Sequence, residues 1–152
     1  MNKKVTLEKL NVDNWLKVCG LTVSDEQKEI FPIPNVYWIG ISRYEEGSEL
    51  FAIKADDEYV GLIGGGYDED GVTGYINPLM IDHRYQKNNY AKPALLLIIK
   101  YLCDNLNVNK INVNHHKENI VAGRIYDSLG FVVYNETDDE YQRQLDCAHH
   151  FS

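Results

Sequence analysis

The 152 residues and 17.5 kDa of this chain point to one domain, residues 1–152, long enough to bury a core of its own. At 44% hydrophobic and 25% charged residues, its composition lies outside that of disordered or low-complexity chains. Fifteen Lys+Arg against 23 Asp+Glu leave a formal charge of −8, which opposes a phosphate backbone and excludes a general nucleic-acid binder. The longest apolar run, Ala94 to Ile99, is too short to cross a bilayer, and the opening residues lack the apolar stretch of a signal peptide. A cytoplasmic location is therefore expected. Cys19, Cys103 and Cys147 are widely spaced with no C-x-x-C pair, so neither a disulfide framework nor a metal site is expected.

Val5 and Leu7 alternate with polar residues and predict a first strand. Asp13-Asn14 can cap a short helix carrying Trp15, Leu16 and Val18. Ser24 followed by Gln27 forms a capping-box pattern that predicts a second helix, closed by Pro32 and Pro34. A third runs from Asn35 to about Arg43. Leu50 to Ala55, Tyr59 to Gly66 and Gly74 to Ile81 are β-prone runs separated by acidic or glycine turns and predict an antiparallel meander. Within it, Gly64-Gly65-Gly66 predicts a bulge or a close backbone approach, since no helix follows it as in a phosphate loop.

Ala91 to Asn105 reads as a strongly apolar helix, with Pro93 tolerated in its first turn. Lys110 to Asn114 is another strand. Asn119 then caps a helix whose Ala122, Ile125, Tyr126 and Leu129 share a face, and Gly130 ends it. Phe131 to Tyr134 and Glu140 to Leu145 close the chain as a hairpin, with residues 147–152 as a frayed tail. This order predicts an α/β domain, a mixed and mostly antiparallel sheet with helices on both faces.

Two segments carry the chemical signal. Leu79-Met80-Ile81 leads through Asp82-His83-Arg84-Tyr85-Gln86-Lys87-Asn88-Asn89-Tyr90 into Ala91-Lys92, a strand, a polar loop and a helix start. Such a loop leaves backbone N–H groups free at the positive end of the helix dipole, an arrangement suited to a pyrophosphate, and Gln86, Lys87 and Lys92 add donors and charge. The second segment is Asn119-Ile120-Val121-Ala122-Gly123-Arg124-Ile125-Tyr126-Asp127-Ser128-Leu129-Gly130-Phe131. Together they resemble the GNAT (GCN5-related) N-acetyltransferase family. The first segment is similar to its Q/R-x-x-G-x-G/A acetyl-CoA loop, the second to its N-x-x-A-x-x-x-Y-x-x-x-G-F helix. The N-terminal stretch Leu10-Asn11-Val12-Asp13-Asn14-Trp15, with Val23-Ser24-Asp25-Glu26-Gln27, resembles the bacterial spermine/spermidine acetyltransferase branch.

The resemblance implies the GNAT acyl-CoA N-acyltransferase fold and transfer of acetyl from acetyl-CoA to a primary amine, by direct attack in a ternary complex. The branch implies a polyamine as acceptor, and an acidic surface would attract it. The resemblance also implies that Leu79, Met80 and Ile81 hold the pantetheine arm. Gln86, Lys87, Asn88, Asn89, Tyr90, Ala91 and Lys92 would hold the phosphates, with Asn119 and Tyr126 also contacting acetyl-CoA. Tyr126 is the expected proton donor to the departing sulfur. Glu26, Glu29 and Asp82 are candidate contacts for the acceptor, and Tyr37, Trp38 and Tyr44 candidate walls of an amine pocket, though core packing is the commoner use of such aromatics.

Two regions depart from the family pattern. Asn89 stands where the family has its central glycine, and Lys87 also replaces a residue that is commonly glycine. Asparagine is the best non-glycine substitute for a left-handed backbone. Polyamine acetyltransferases usually carry an acid where this chain has Asn77-Pro78, which leaves the base open among Asp82 or Glu29 acting through water and an amine that arrives already deprotonated. The adjacent pair His115-His116 reads as structural, because neighbouring strand residues point to opposite faces, and His149-His150 reads as inert. The remaining alternatives are another small amine, an antibiotic or a protein α-amine as acceptor, or a degenerate acyl-CoA-binding or interaction domain. Domains of this kind are often dimeric, so the resemblance admits a homodimer.

Overall fold

A computed structural model describes residues 3–148, so the expectation for His149-His150 lies outside the described residues. Seven strands, β1 (Val5–Lys9), β2 (Ser48–Ala55), β3 (Glu58–Tyr67), β4 (Thr73–Ile81), β5 (Lys110–His116), β6 (Val132–Glu136) and β7 (Glu140–Asp146), form one sheet in the order β1-β2-β3-β4-β5-β7-β6. Every neighbouring pair is antiparallel except β4–β5. Four α-helices accompany them: α1 (Trp15–Cys19), α2 (Asn35–Tyr44), α3 (Ala91–Asn105) and α4 (Ile120–Leu129). The expected mixed, mostly antiparallel sheet is present.

Side-chain alternation along the strands divides the core in two. Phe51, Ile53, Ala55 and Ile63 point to one face, where Leu95, Ile98, Ile99 and Leu102 of α3 and Tyr126 and Leu129 of α4 cover them. Burying each large α3 side chain contributes about 1.5–3 kcal/mol. Leu50, Ala52, Leu62 and Met80 point to the opposite face and meet Val18 of α1, the loop residues Leu21, Val23 and Phe31, and Trp38 and Ile39 of α2. The glycine run supplies a close approach and a bulge. A Cβ on Gly66 would stand 1.9 Å from the Gly47 carbonyl, and the β3–β4 register shifts between Ile63 and Gly65.

Three local expectations need correction. The helix predicted from Ser24 is only a 3₁₀ turn, Gln27–Glu29. The capping box does form, Gln27 Oε1 accepting from the Ser24 amide at 3.3 Å and Ser24 Oγ from the Gln27 amide at 3.4 Å. Pro32 and Pro34 then lie too close for a longer helix, and the chain bends to send Phe31 against the core. Cys103 and Cys147, 44 residues apart in sequence, form a disulfide with Cα atoms 5.8 Å apart. Cys147 is also buried, and its amide donates to the Asn109 carbonyl at 3.0 Å, so the chain is not frayed there. No helix among the described residues is long and apolar enough to cross a membrane.

Candidate active site

The crossover from β4 through α3 to β5 makes these strands parallel neighbours. They pair only over Thr73–Tyr75 and Lys110–Asn112. Beyond Tyr75 the two strands separate, while β4 continues to pair with β3 as far as Ile81. The separation leaves one edge of β4 without a strand partner and opens a cleft at the carboxyl ends of both strands. A cavity of about 270 Å³ occupies it. Leu79 and Asn77 of β4, His115 and His116 of β5, and Asn119, Ala122 and Tyr126 at α4 line it, with Phe31 and Trp38 across from α4.

Helix α4 is held at both ends as its sequence predicts. The Asn119 side chain accepts from the Ala122 amide at 3.1 Å, and Gly130 closes the helix with φ +94°. Gly123 lets the helix lie against His115, since a Cβ there would be 3.3 Å from the imidazole Cε1. Tyr126, 6% exposed, packs against the rings of His115 and Phe131 at centroid distances of 5.7 and 5.4 Å. Burial pushes its phenol up to about 12, so it stays protonated at neutral and mildly alkaline pH. Its hydroxyl has no hydrogen-bond partner among the described residues.

His115 is tied at both nitrogens. Nε2 accepts from Arg143 Nε at 2.9 Å, and Nδ1 lies 2.9 Å from the His116 carbonyl. An arginine donor at Nε2 requires a lone pair there, which leaves Nδ1 to donate to the His116 carbonyl. Arg143 in turn pairs with Asp127 of α4, so this network seats the helix that carries Tyr126.

The loop after β4 turns through two left-handed residues, Lys87 at φ +66° and Asn89 at φ +63°. These are the two positions at which the family commonly uses glycine. Asn88 Nδ2 braces the turn by donating to the Tyr85 and Gln86 carbonyls at 2.8 and 3.2 Å. Gln86 Nε2 donates to the Ile81 carbonyl at 2.9 Å, and its amide forms a reciprocal pair with Gln27 at 2.8 and 3.0 Å. The loop then enters α3 at Ala91, where first-turn amides have no intrahelical acceptor.

The cavity gathers Leu79, Asn119 and Tyr126 from the expected residues, together with Trp38. Met80, Ile81 and the loop from Gln86 to Lys92 do not line it, and the Met80 side chain is buried on the α1 side. Glu26 and Glu29 are exposed and stand outside its lining, as do Tyr37 and Tyr44. Asp82 is not available to an acceptor. It is 1% exposed, and its carboxylate already accepts from the Thr22 amide at 3.0 Å and from the Arg84 amide and Nε at 2.9 Å. Burial pushes that carboxyl up, but the Arg84 and Thr22 donors outweigh it and hold it below its ordinary value. His115 and His116, read from sequence as purely structural, both reach the cavity. Glu140 also lines it, a residue that in sequence looks only like the last member of an acidic turn.

The sequence model of the acetyltransferase (GNAT) family matches residues 11–131. The spermine/spermidine N(1)-acetyltransferase of Bacillus subtilis (strain 168) is 32% identical over 74 residues, 47% of this chain and 49% of that protein, so the match spans about half its length. Among solved structures, a spermidine N-acetyltransferase from Vibrio cholerae in complex with CoA and spermine superposes with a TM-score of 0.82 at 15% identity, covering 97% of this chain and 98% of that one. A GNAT-family acetyltransferase from Bacillus anthracis gives 0.79 at 16%, covering 97% and 98%. An N-acetyltransferase from Campylobacter jejuni in complex with acetyl coenzyme A gives 0.70 at 17%, covering 94% and 99%. These structural likenesses show a shared fold. With four-fifths of its length matched, a parted β4–β5 pair and a tyrosine-bearing helix at the cleft, this chain belongs to the acetyltransferase (GNAT) family.

Proposed function

We propose that the protein transfers acetyl from acetyl-CoA to a primary amine, with a polyamine such as spermidine or spermine as its acceptor. The observation that carries this reading is the parting of β4 from β5 over a cavity that holds a protonated, unpartnered Tyr126 hydroxyl. The fit to acetyl-CoA rests on three features of the chain. The free edge of β4 at Leu79 to Ile81 suits the amides of a pantetheine arm. The loop turns left-handed at Lys87 and Asn89 just before the α3 N-terminus, whose first-turn amides lack an intrahelical acceptor, and Lys87 and Lys92 add positive charge for the phosphates.

Bound acetyl-CoA would supply a thioester carbonyl for the amine to attack directly, with both reactants held in one cleft. Tyr126 protonates the departing thiolate, a role that a phenol raised to about 12 can fill because it arrives protonated. Asn119 holds α4 by its cap and contacts the cofactor from the rim. A polyamine acceptor is supported by the Bacillus subtilis relative, by the Vibrio cholerae structure with spermine, and by a net charge of −8 that draws in polycations.

Thiol release from acetyl-CoA with spermine, spermidine and a panel of other amines tests this function. Turnover on polyamines alone is the expected result. Turnover only on another amine replaces the acceptor and keeps the chemistry. Silence across the panel refutes the enzyme, and calorimetric titration then tells an acyl-CoA-binding domain from one that binds none.

A further inference from the structure

The cavity between the separated strands is lined from both faces of the sheet, with different chemistry on each. On the α3–α4 face stand Tyr126 and His115, both buried in that core layer. On the opposite face the roof is Phe31 and Trp38, which pack with the α1–α2 layer. His116 follows His115 on β5 and so points to that second face. Its antiparallel partner across the β5–β7 pair is Glu140, and directly opposed residues project from the same side of a sheet. Glu140 is the one carboxylate among the described residues that line the cavity, and no lysine or arginine joins it there. Its carboxylate has no hydrogen bond or ion pair among the described residues. The nearby cation Lys117 is engaged with Glu136 at 3.1 Å and with the Tyr141 ring.

A half-buried carboxylate without a partner among the described residues, in a cavity also lined by the aromatic rings of Trp38 and Phe31, is a site for a cationic amine. Asn77, also in the lining, offers no charge and takes no proton. Asp82 has both oxygens occupied by its own chain. His115 Nε2 is occupied by the Arg143 donor.

Building on the acetyl-transfer reading, we infer that Glu140 is the residue that binds the acceptor's ammonium group and takes its proton, entering from the Trp38 face opposite Tyr126. The ammonium gives one proton to Glu140 and becomes a free amine. The amine nitrogen then forms its bond to the acetyl carbon as the carbon–sulfur bond breaks. Tyr126 protonates the sulfur, the nitrogen's second proton returns to the Tyr126 oxygen, and Glu140 releases its proton to water. The net products are the acetylated amine, CoA thiol and one proton.

The test compares wild type, Glu140→Gln and Glu140→Asp, with circular dichroism to verify folding. Thiol release is measured with spermidine, with n-butylamine and with an aromatic amine that is uncharged at neutral pH. Calorimetry follows spermidine binding to the CoA-loaded protein. Glu140→Gln should lower kcat/KM for both alkylamines by about 100-fold or more, weaken spermidine binding, and leave acetyl-CoA binding within twofold. The uncharged aromatic amine needs no such base, so its turnover should change less than about threefold, and Glu140→Asp should recover part of the loss. Alkylamine turnover within threefold of wild type in Glu140→Gln overturns the assignment, as does an equal loss for the aromatic amine. If wild type turns over no amine yet binds spermidine through Glu140, the acetyl-transfer reading fails while the ammonium site stands. If it neither turns over nor binds any amine, both fall.

Discussion

Helix α4 and the loop joining β4 to α3 belong to the two segments that resemble the same family, and they hold their shapes in different ways. In α4 the residues themselves match the family motif: Asn119 caps, Ala122 and Tyr126 reach the cavity and Gly130 turns left-handed. In the loop the residues depart, with Lys87 and Asn89 in place of glycines, while the backbone keeps the conformation those glycines serve, at φ +66° and +63°. A motif read as letters counts the loop as damaged. As geometry its turn is kept, and a phosphate bound at such a turn would meet backbone N–H groups rather than side chains. The departure should therefore weigh on stability more than on binding, whereas changes in α4 should reach the chemistry.

Tyr126→Phe should break the α4 side most severely. It removes only the hydroxyl, leaves the ring packed against His115 and Phe131, and should lower kcat by about 10²- to 10⁴-fold. Calorimetry should show acetyl-CoA affinity within twofold of wild type. Full turnover from a folded variant would remove Tyr126 from the acid role.

Asp82→Asn acts on the base of the loop. The carboxylate ties the end of β4 to Thr22 and Arg84, so its loss should cost about 1–3 kcal/mol at pH 7 by urea unfolding. Its carboxyl sits lower in the folded than in the unfolded chain, so that stability is fully present above the ordinary carboxylate range. It is lost as pH falls through the folded value, and the gap between wild type and variant should close below about pH 4. A gap that persisted into acid would mean that packing rather than charge holds this corner.

Asn119→Ala should cost about 1 kcal/mol by removing the α4 cap, visible as a drop of about 2–4 °C in Tm. A larger loss would show that Asn119 carries more than its cap.

The α4 side was also the more legible from sequence. A capping asparagine, apolar residues three and four apart and a terminal glycine all act within one helix, so neighbours in sequence settle them. What escaped depends on distant partners. Asp82 looks like an available loop acid until Thr22, sixty residues earlier, is seen to donate to it. Glu140 looks like the end of an acidic turn until β7 brings it opposite His116. Cys103 and Cys147 show no spacing motif because α3 and the end of β7 alone bring them together. Ser24 and Gln27 did form their box, yet two prolines downstream decided how far the helix could run.

The smallest effects sharpen the loop side of the comparison, because the two left-handed residues should answer differently to glycine. A left-handed backbone costs an ordinary side chain about 1–2 kcal/mol, and glycine's greater freedom in the unfolded chain offsets about 0.5–1 kcal/mol of the relief. Lys87→Gly should therefore stabilise the protein by about 0.5–1 kcal/mol, read by urea unfolding. Asparagine already tolerates that backbone, so Asn89→Gly should stay within about 0.5 kcal/mol of wild type. Affinity separates the pair further. Lys87→Gly removes an exposed cation proposed to face the phosphates and should weaken acetyl-CoA binding about two- to fivefold, the scale of a solvent-screened charge pair, while Asn89→Gly leaves affinity unchanged. Stability and affinity would then move in opposite directions at one residue, as expected of a loop that keeps its glycine geometry under strain in exchange for a charge. If Lys87→Gly stabilised the fold and bound acetyl-CoA as tightly as wild type, the lysine would have no share in the phosphate site, and the backbone of the loop would carry that role without it.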